Sequence, residues 1–295
     1  MAAMDLHIEI LGPQRDDLGE CPLWDERHAQ LYWIDSHKPA IFRLDTRSGE
    51  RREWGMPTPI GSIALCQSGR LLVALADELV YLDPATGQTE ALVRVPHAAE
   101  GIRLNDGRVD REGRFCVGSL VRGRPEPLGA LYQVSANGRL VQLDQGVRVA
   151  NTTCFSPDGR WLYFADSLAR QIWRYAYDSA AGQVGPRQVW VDWREAGLSP
   201  DGATVDSDGQ IWVALVMQGQ LACVSPEGQL LRRIDVPVEF PTCPCFGGAD
   251  LRTLYLSSIR HSGNLLHSER PESGALLALH GLGAQGLPEG RFADC

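Results

Sequence analysis

The sequence predicts an all-β fold: a six-bladed β-propeller with four-stranded blades, closed by its N-terminal strand. Three observations predict it. A short apolar strand recurs six times, as Leu31-Tyr-Trp-Ile-Asp35, Leu71-Leu-Val-Ala-Leu75, Phe115-Cys-Val-Gly-Ser119, Leu162-Tyr-Phe-Ala-Asp166, Ile211-Trp-Val-Ala-Leu215 and Leu254-Tyr-Leu-Ser-Ser258. Their starts lie 40 to 49 residues apart, and a period near 45 with several short strands per unit marks a propeller blade. Finally, no window sustains the 3.6-residue period over three helical turns.

The elements follow in order. Turns stand before four of the strands, at Gln67-Ser-Gly-Arg70, Arg111-Glu-Gly-Arg114, Pro157-Asp-Gly-Arg160 and Ser207-Asp-Gly-Gln210; glycine there accepts a positive φ without steric cost. A further strand and turn follow each apolar strand, as in Ile41-Phe-Arg-Leu-Asp45 before Arg47-Ser-Gly-Glu50 and Leu79-Val-Tyr-Leu-Asp83 before Ala85-Thr-Gly-Gln88. The opening strand Leu6–Ile10 has no blade of its own. It is expected to pair near Ala275–Leu279 as the outer strand of the last blade, which removes an exposed edge. Longer loops at 120–128 and 260–272 are expected to border a pocket. No linker interrupts the pattern, so residues 1–295 read as a single domain.

Composition narrows the function. A hydrophobic fraction of 44% and a charged fraction of 22% are ordinary for a soluble protein. The net charge of -9, with pI near 5.3, argues against nucleic acid or an anionic membrane as partner. No run of about 18 apolar residues occurs. The opening residues lack a basic region followed by an apolar stretch, so the reading is a cytoplasmic protein, a monomer or weak homodimer, with its eight cysteines reduced. Cys243-Pro-Cys245 has the wrong separation for a zinc ribbon or a redox pair. No Gly-x-Ser-x-Gly elbow and no HExxH motif occur; His97 is the one histidine expected at a pocket rim.

Counting back ten or eleven residues from each apolar strand reaches Glu20, Ile60, Asn105, Asn151, Asp201 and Pro244. Four oxygen donors thus share one address in the repeat, and a ring of blades would bring that address to one centre. Two carboxylates and two amides form a hard donor set suited to Ca²⁺, Mg²⁺ or Mn²⁺. The apolar Ile60 and Pro244 would leave one side of the ring without ligands and open to substrate.

Leu18-Gly-Glu-Cys-Pro-Leu-Trp24, Arg103-Leu-Asn-Asp-Gly107, Asn151 with Ser156-Pro-Asp-Gly159, Pro200-Asp-Gly202, and Cys245-Phe-Gly-Gly248 with Leu254-Tyr-Leu256 occur in that order. Together they resemble the regucalcin/gluconolactonase family of sugar lactonases over essentially the whole chain. The resemblance implies a six-bladed propeller with one divalent ion in the channel, its identity open among Ca, Mg, Mn, Zn and Fe(II). It implies Glu20, Asn151 and Asp201 as metal ligands, Asn105 beside the metal or substrate, and Arg103 on substrate hydroxyls or the ring ester. Two departures stand out: Cys21 follows the glutamate where the family usually has glycine, and Val121-Arg-Gly-Arg124, with Glu126 beyond it, occupies a loop where some relatives carry an acidic substrate-binding residue.

The reaction so implied is hydrolysis of an aldonolactone, such as gluconolactone, galactonolactone or a pentonolactone, to the aldonate. The metal would polarise the lactone carbonyl and Asp201 would be the candidate general base. A carboxylate that touches a cation is a weaker base, so the second oxygen of Asp201 must be free to reach water. Alternatives on the same architecture are an organophosphate or aryl-ester hydrolase and a non-catalytic calcium-binding scaffold. The polar Arg103-Leu-Asn105 favours a polyhydroxylated ligand over either.

Overall fold

Tight turns between short strands make antiparallel sheets. The computed structural model describes residues 6–263 and 265–295, and every regular element among them is a strand. The strands pair into six antiparallel sheets, the blades of a six-bladed β-propeller. The glycines of the four turn sequences, Gly69, Gly113, Gly159 and Gly209, all take φ between 69° and 90°.

The chain divides into two units, residues Met1–Met56 with Asp201–Pro288, and residues Pro57–Pro200 with Glu289–Cys295. The first unit holds blade one (Gly19–Asp25, Gln30–Asp35, Ala40–Asp45, Arg51–Gly55), blade five (Pro200–Val205, Ile211–Leu215, Gln220–Val224, Leu230–Asp235) and blade six (Phe240–Gly247, Thr253–Ile259, Leu277–His280, His7–Ile10). The N-terminal strand closes blade six as expected, with His7 opposite His280 and Ile10 opposite Leu277. Ile8 and Ile10 pack on a core containing Trp212, Leu221, Leu254 and Leu277. A second core joins Trp24 and Trp33 of blade one to Tyr255 and Ala278 of blade six.

The other unit holds blade two (Ser62–Leu65, Leu71–Ala74, Glu78–Leu82, Thr89–Arg94), blade three (Ile102–Val109, Phe115–Val121, Gly129–Val134, Leu140–Val147) and blade four (Ala150–Phe155, Trp161–Asp166, Gln171–Asp178, Gln188–Asp192). Blade four departs from the four-stranded pattern. The end of its third strand also pairs with a short strand, Gln183–Val184, before the fourth strand begins. A core of Leu72, Phe115, Val117 and Tyr132 joins blades two and three, and takes in Phe292 from the C-terminal segment. That segment bridges in parallel to Cys66, and Asp294 accepts from the Ser68 N–H at 3.0 Å.

The second strand of each blade is buried on both faces, so its sequence is a continuous apolar run rather than an alternation. Each fully buried Leu, Ile or Phe there contributes about 1.5–3 kcal/mol. Fourth strands such as Arg51–Gly55 and Thr89–Arg94 lie largely exposed, which is why the apolar pattern does not mark them. Seven cysteines are buried, Cys295 is exposed, and all eight are free thiols. No helix among the described residues is long and apolar enough to cross a membrane.

Candidate active site

The repeated address is built around β-bulges, which put two residues opposite one and re-aim a side chain. In blade one the register shifts between Glu20 and Leu23, in blade three between Leu104 and Gly107, in blade four between Asn151 and Cys154, and in blade six between Pro241 and Pro244. Two bulge residues are not glycine yet have positive φ: Cys21 at 48° and Thr152 at 58°. Such a conformation costs about 1–3 kcal/mol and persists where its surroundings impose it, commonly at functional sites. Cys21, the departure from glycine noted above, therefore carries backbone strain beside Glu20.

The bulges also correct the count. Glu20 and Asn151 pair with Ile34 and Ala165. Asn105 and Thr242 open the bulges that face Gly118 and Ser257, and Ser62 pairs with Ala74 in blade two, whose first strand has no bulge. All five partners lie three residues beyond the start of their apolar strand. The occupants of blades two and six are thus Ser62 and Thr242, in place of the Ile60 and Pro244 reached by counting. Ile60 is fully buried, and Pro244 pairs with Leu256 beyond the bulge. Both hydroxyls are tied to backbone: Ser62 Oγ donates to the Asn105 carbonyl at 2.8 Å, and Thr242 Oγ1 to the Gly19 carbonyl at 2.6 Å.

Within the second unit, Arg103, Asn105 and Asn151 form one polar network. Arg103 Nη1 donates to Asn105 Oδ1 at 3.0 Å and to the Leu104 carbonyl at 2.8 Å. Asn105 Nδ2 donates to the Ala150 carbonyl at 2.8 Å and, at 3.3 Å, to Asn151 Oδ1. Asn151 Nδ2 donates to Ser167 Oγ at 2.8 Å. The Ser167 bond sets the Asn151 amide, so its oxygen is the atom presented toward Asn105. The Asn105 oxygen is engaged by Arg103. Each amide oxygen thus accepts one hydrogen bond, that of Asn105 from Arg103 and that of Asn151 from Asn105.

Asp106, next to Asn105, does not stand out in the sequence, because Asn105-Asp-Gly107 looks like a turn. It lies inside the strand Ile102–Val109, and its Oδ2 accepts from the Thr153 N–H at 2.7 Å, linking the bulges of blades three and four. Burial pushes its carboxyl above the usual carboxylate range, against the pull of Arg108 and the Thr153 amide. The Asn-Asp-Gly sequence offers no local signal that separates a turn from this bulge.

In the first unit, Glu20 is partly buried on the strand Gly19–Asp25, and Asp201 is buried on Pro200–Val205. Gly202, next to Asp201, abuts blade six so closely that a Cβ there would lie 2.6 Å from Cys243 Sγ. The loop 260–272 is joined to the lead-in of Glu20, since the Arg260 and His261 N–H groups both donate to the Asp17 carbonyl, at 3.0 and 2.8 Å. In the second unit the loop 120–128 is joined likewise to the lead-in of Arg103, with the Arg122 N–H on the Gly101 carbonyl at 2.9 Å. His97 Nε2 contacts the Ala76 carbonyl at 3.0 Å, and its ring meets Tyr132 edge-on.

Among the described residues no group of three or more His, Cys, Asp or Glu is placed to hold a metal ion. The set expected from the sequence, Glu20, Asn151 and Asp201, has two carboxylates and one amide. The donor chemistry therefore suits a divalent ion with water or substrate completing its shell.

Comparison with known proteins agrees with the architecture. Residues 18–260 match the SMP-30/gluconolactonase/LRE-like region. The chain belongs to the SMP-30/gluconolactonase/LRE-like family. It is 38% identical over 292 residues to the 6-deoxy-6-sulfogluconolactonase of Pseudomonas putida, covering 98% of this chain and 100% of that protein. It is 29% identical to regucalcin of Gallus gallus, over 97% of this chain and 98% of that one. The solved structure of regucalcin from Agrobacterium tumefaciens, described as a calcium-binding protein, is 27% identical with a TM-score of 0.90, covering 96% of each chain. For this member of the family, the propeller expected from the repeat is the fold observed.

Proposed function

We propose that this protein hydrolyses a sugar-acid lactone to the open aldonate, with a divalent ion held by Glu20, Asn151 and Asp201. Full-length likeness to a sugar lactonase supports the reaction. The observation that carries it to these residues is the Arg103–Asn105–Asn151 network. An ion that only staples blades together needs no guanidinium beside it, whereas a polyhydroxylated ester does.

When bound, the ion supplies Lewis-acid polarisation of the lactone carbonyl. The chain's own residues do the rest. Arg103 and Asn105 orient ring hydroxyls, and Asp201 takes the proton from the attacking water on the carboxylate oxygen not given to the ion. The network holds Arg103 and Asn105 in place before substrate arrives, so little ordering is left for the reaction itself. The description of the Agrobacterium regucalcin as calcium-binding favours Ca²⁺ as the first ion to supply. The name of the Pseudomonas relative favours a gluconolactone carrying an anionic group on C6 as the first substrate.

The test is a proton-release assay on chelator-treated protein, with each divalent ion added back singly. The panel comprises gluconolactone, galactonolactone, two pentonolactones and 6-deoxy-6-sulfogluconolactone. Turnover that appears on metal addition is expected for at least one lactone. A rate no higher than spontaneous hydrolysis for every lactone with every ion refutes the reading.

A further inference from the structure

We infer that Asp35 and Asp166 are positioning residues for Glu20 and Asn151; this rests on the reading above, in which those two side chains hold the ion. Each ends the second strand of its blade, and each is at most 3% exposed. In blade one, Asp35 Oδ2 accepts from the Asp17 N–H at 2.7 Å, and Oδ1 accepts from the N–H groups of Leu18 (3.2 Å), His37 (2.9 Å) and Lys38 (2.9 Å). In blade four, Asp166 Oδ2 accepts from the Arg148 N–H at 2.9 Å, and Oδ1 from Val149 (3.3 Å) and Leu168 (3.0 Å).

The offsets coincide. Asp17 and Leu18 precede Glu20 by three and two residues, and Arg148 and Val149 precede Asn151 by the same amounts. A strand-ending aspartate commonly accepts the amides two or three residues ahead and so closes its own turn. The bonds to His37, Lys38 and Leu168 are of that kind. The bonds back to residues 17, 18, 148 and 149 do nothing for the turn. They fix the chain that leads into the two proposed ligands. At the equivalent position the other four blades carry Leu75, Ser119, Leu215 and Ser258, so a carboxylate clamp occurs only in the blades of Glu20 and Asn151. Ser119 shows the alternative: its hydroxyl joins only the neighbouring strand, at Ala130.

A carboxylate is required because it is acceptor-only, with sites for up to about four N–H donors. An amide at position 35 would turn an NH₂ toward the Asp17 N–H or the turn amides. Thr242 completes the device in blade one. Its hydroxyl holds the Gly19 carbonyl, so residues 17, 18 and 19 are each tied by a side chain just before Glu20. Partners of ligands that fix their orientation are typically worth about 10–100-fold in metal affinity.

The experiment is calorimetric titration of the chelator-treated protein with Ca²⁺ alone and Mn²⁺ alone, together with turnover at saturating metal. Variants are Asp35→Asn, Asp166→Asn, Thr242→Val, Thr242→Ser, Ser119→Ala, Glu20→Ala and Asn151→Ala. Asp35→Asn and Asp166→Asn are expected to weaken metal binding about 10–100-fold, with turnover largely regained at saturating metal. Thr242→Val, which keeps the side-chain volume, is expected to weaken binding in the same direction, and Thr242→Ser to restore it. Ser119→Ala is expected to lower the melting temperature without changing metal affinity. Wild-type metal affinity in Asp35→Asn, Asp166→Asn and Thr242→Val, alongside lost binding in Glu20→Ala and Asn151→Ala, overturns the positioning role and leaves the ligand reading standing. Wild-type binding in Glu20→Ala and Asn151→Ala overturns both.

Discussion

Asp16 offers a prediction whose size can be worked out. It is 4% exposed, with Oδ1 accepting from Gln14 Nε2 at 2.6 Å and Oδ2 from Trp33 Nε1 at 2.9 Å. Burial pushes its carboxyl up to about 7, with the nearby Asp35 adding to the rise and the Gln14 and Trp33 bonds opposing it. In the unfolded chain the group titrates near the ordinary value of about 3.9. The folded form therefore holds the proton more tightly. Its stabilising effect is fully present below about pH 4 and is lost as pH rises toward 7. At about 1.36 kcal/mol per pH unit, the full span is worth about 4 kcal/mol, of which roughly 2–3 kcal/mol falls between pH 5 and 7.

Asp16→Asn removes this titration. The amide sets an NH₂ against Gln14 or Trp33, a pH-independent cost of about 1–3 kcal/mol, so the slope carries the test. Urea unfolding of both proteins from pH 5 to 8, in chelator, gives the stability difference at each pH. That difference should move in favour of Asp16→Asn by about 2–3 kcal/mol between pH 5 and 7 and then level off. A difference that stays constant over the whole range would refute the assignment of a buried, proton-holding Asp16.

Three further outcomes are expected. Burial raises the thiols of Cys66, Cys116, Cys154 and Cys223, the latter three to about 12, 12 and 11, so a disulfide reagent at pH 8 should titrate only the exposed Cys295 rapidly in the native protein and all eight thiols in denaturant. Gly202→Ala places a Cβ 2.6 Å from Cys243 Sγ and 2.9 Å from its Cα; overpacking of this kind costs about 1–3 kcal/mol, read as a lower urea midpoint, with turnover falling as Asp201 is displaced. Asp201→Asn should lower turnover by about 10²–10⁴-fold; variants Asp201→Asn and Asp201→Ala that bind metal normally and turn over fully would remove Asp201 as the base.

The strand repeat was legible because its cause is local. The double burial of second strands writes itself as unbroken runs such as Leu162-Tyr-Phe-Ala, and the hairpins as Asp-Gly or Ser-Gly pairs whose glycines take positive φ. The unassigned strand at residues 6–10 likewise pointed to its own partner, since an odd strand and an open sheet edge at the chain's end satisfy each other. Fourth strands, the short Gln183–Val184 pairing and the C-terminal segment against Cys66 were not marked. Their stability comes from what they pack or pair with, not from their own pattern.

For the site, the sequence alone brought out the carboxylates and amides of four blades, because Glu20, Asn105, Asn151 and Asp201 recur at a near-constant distance from strands that do announce themselves. Only the tertiary structure decided what surrounds those donors. A bulge inserts one residue without altering composition, so counting misplaced the blade-two and blade-six occupants, and Ser62 and Thr242 emerged only from the pairing. Which way the Asn105 and Asn151 amides turn is set by Arg103 and Ser167. Asp35 and Asp166 read as strand ends until their carboxylates are seen holding chain 17 or 18 residues away. Periodicity records burial, which is written residue by residue; the orientation of a polar group is set by hydrogen bonds to backbone that only folding brings near.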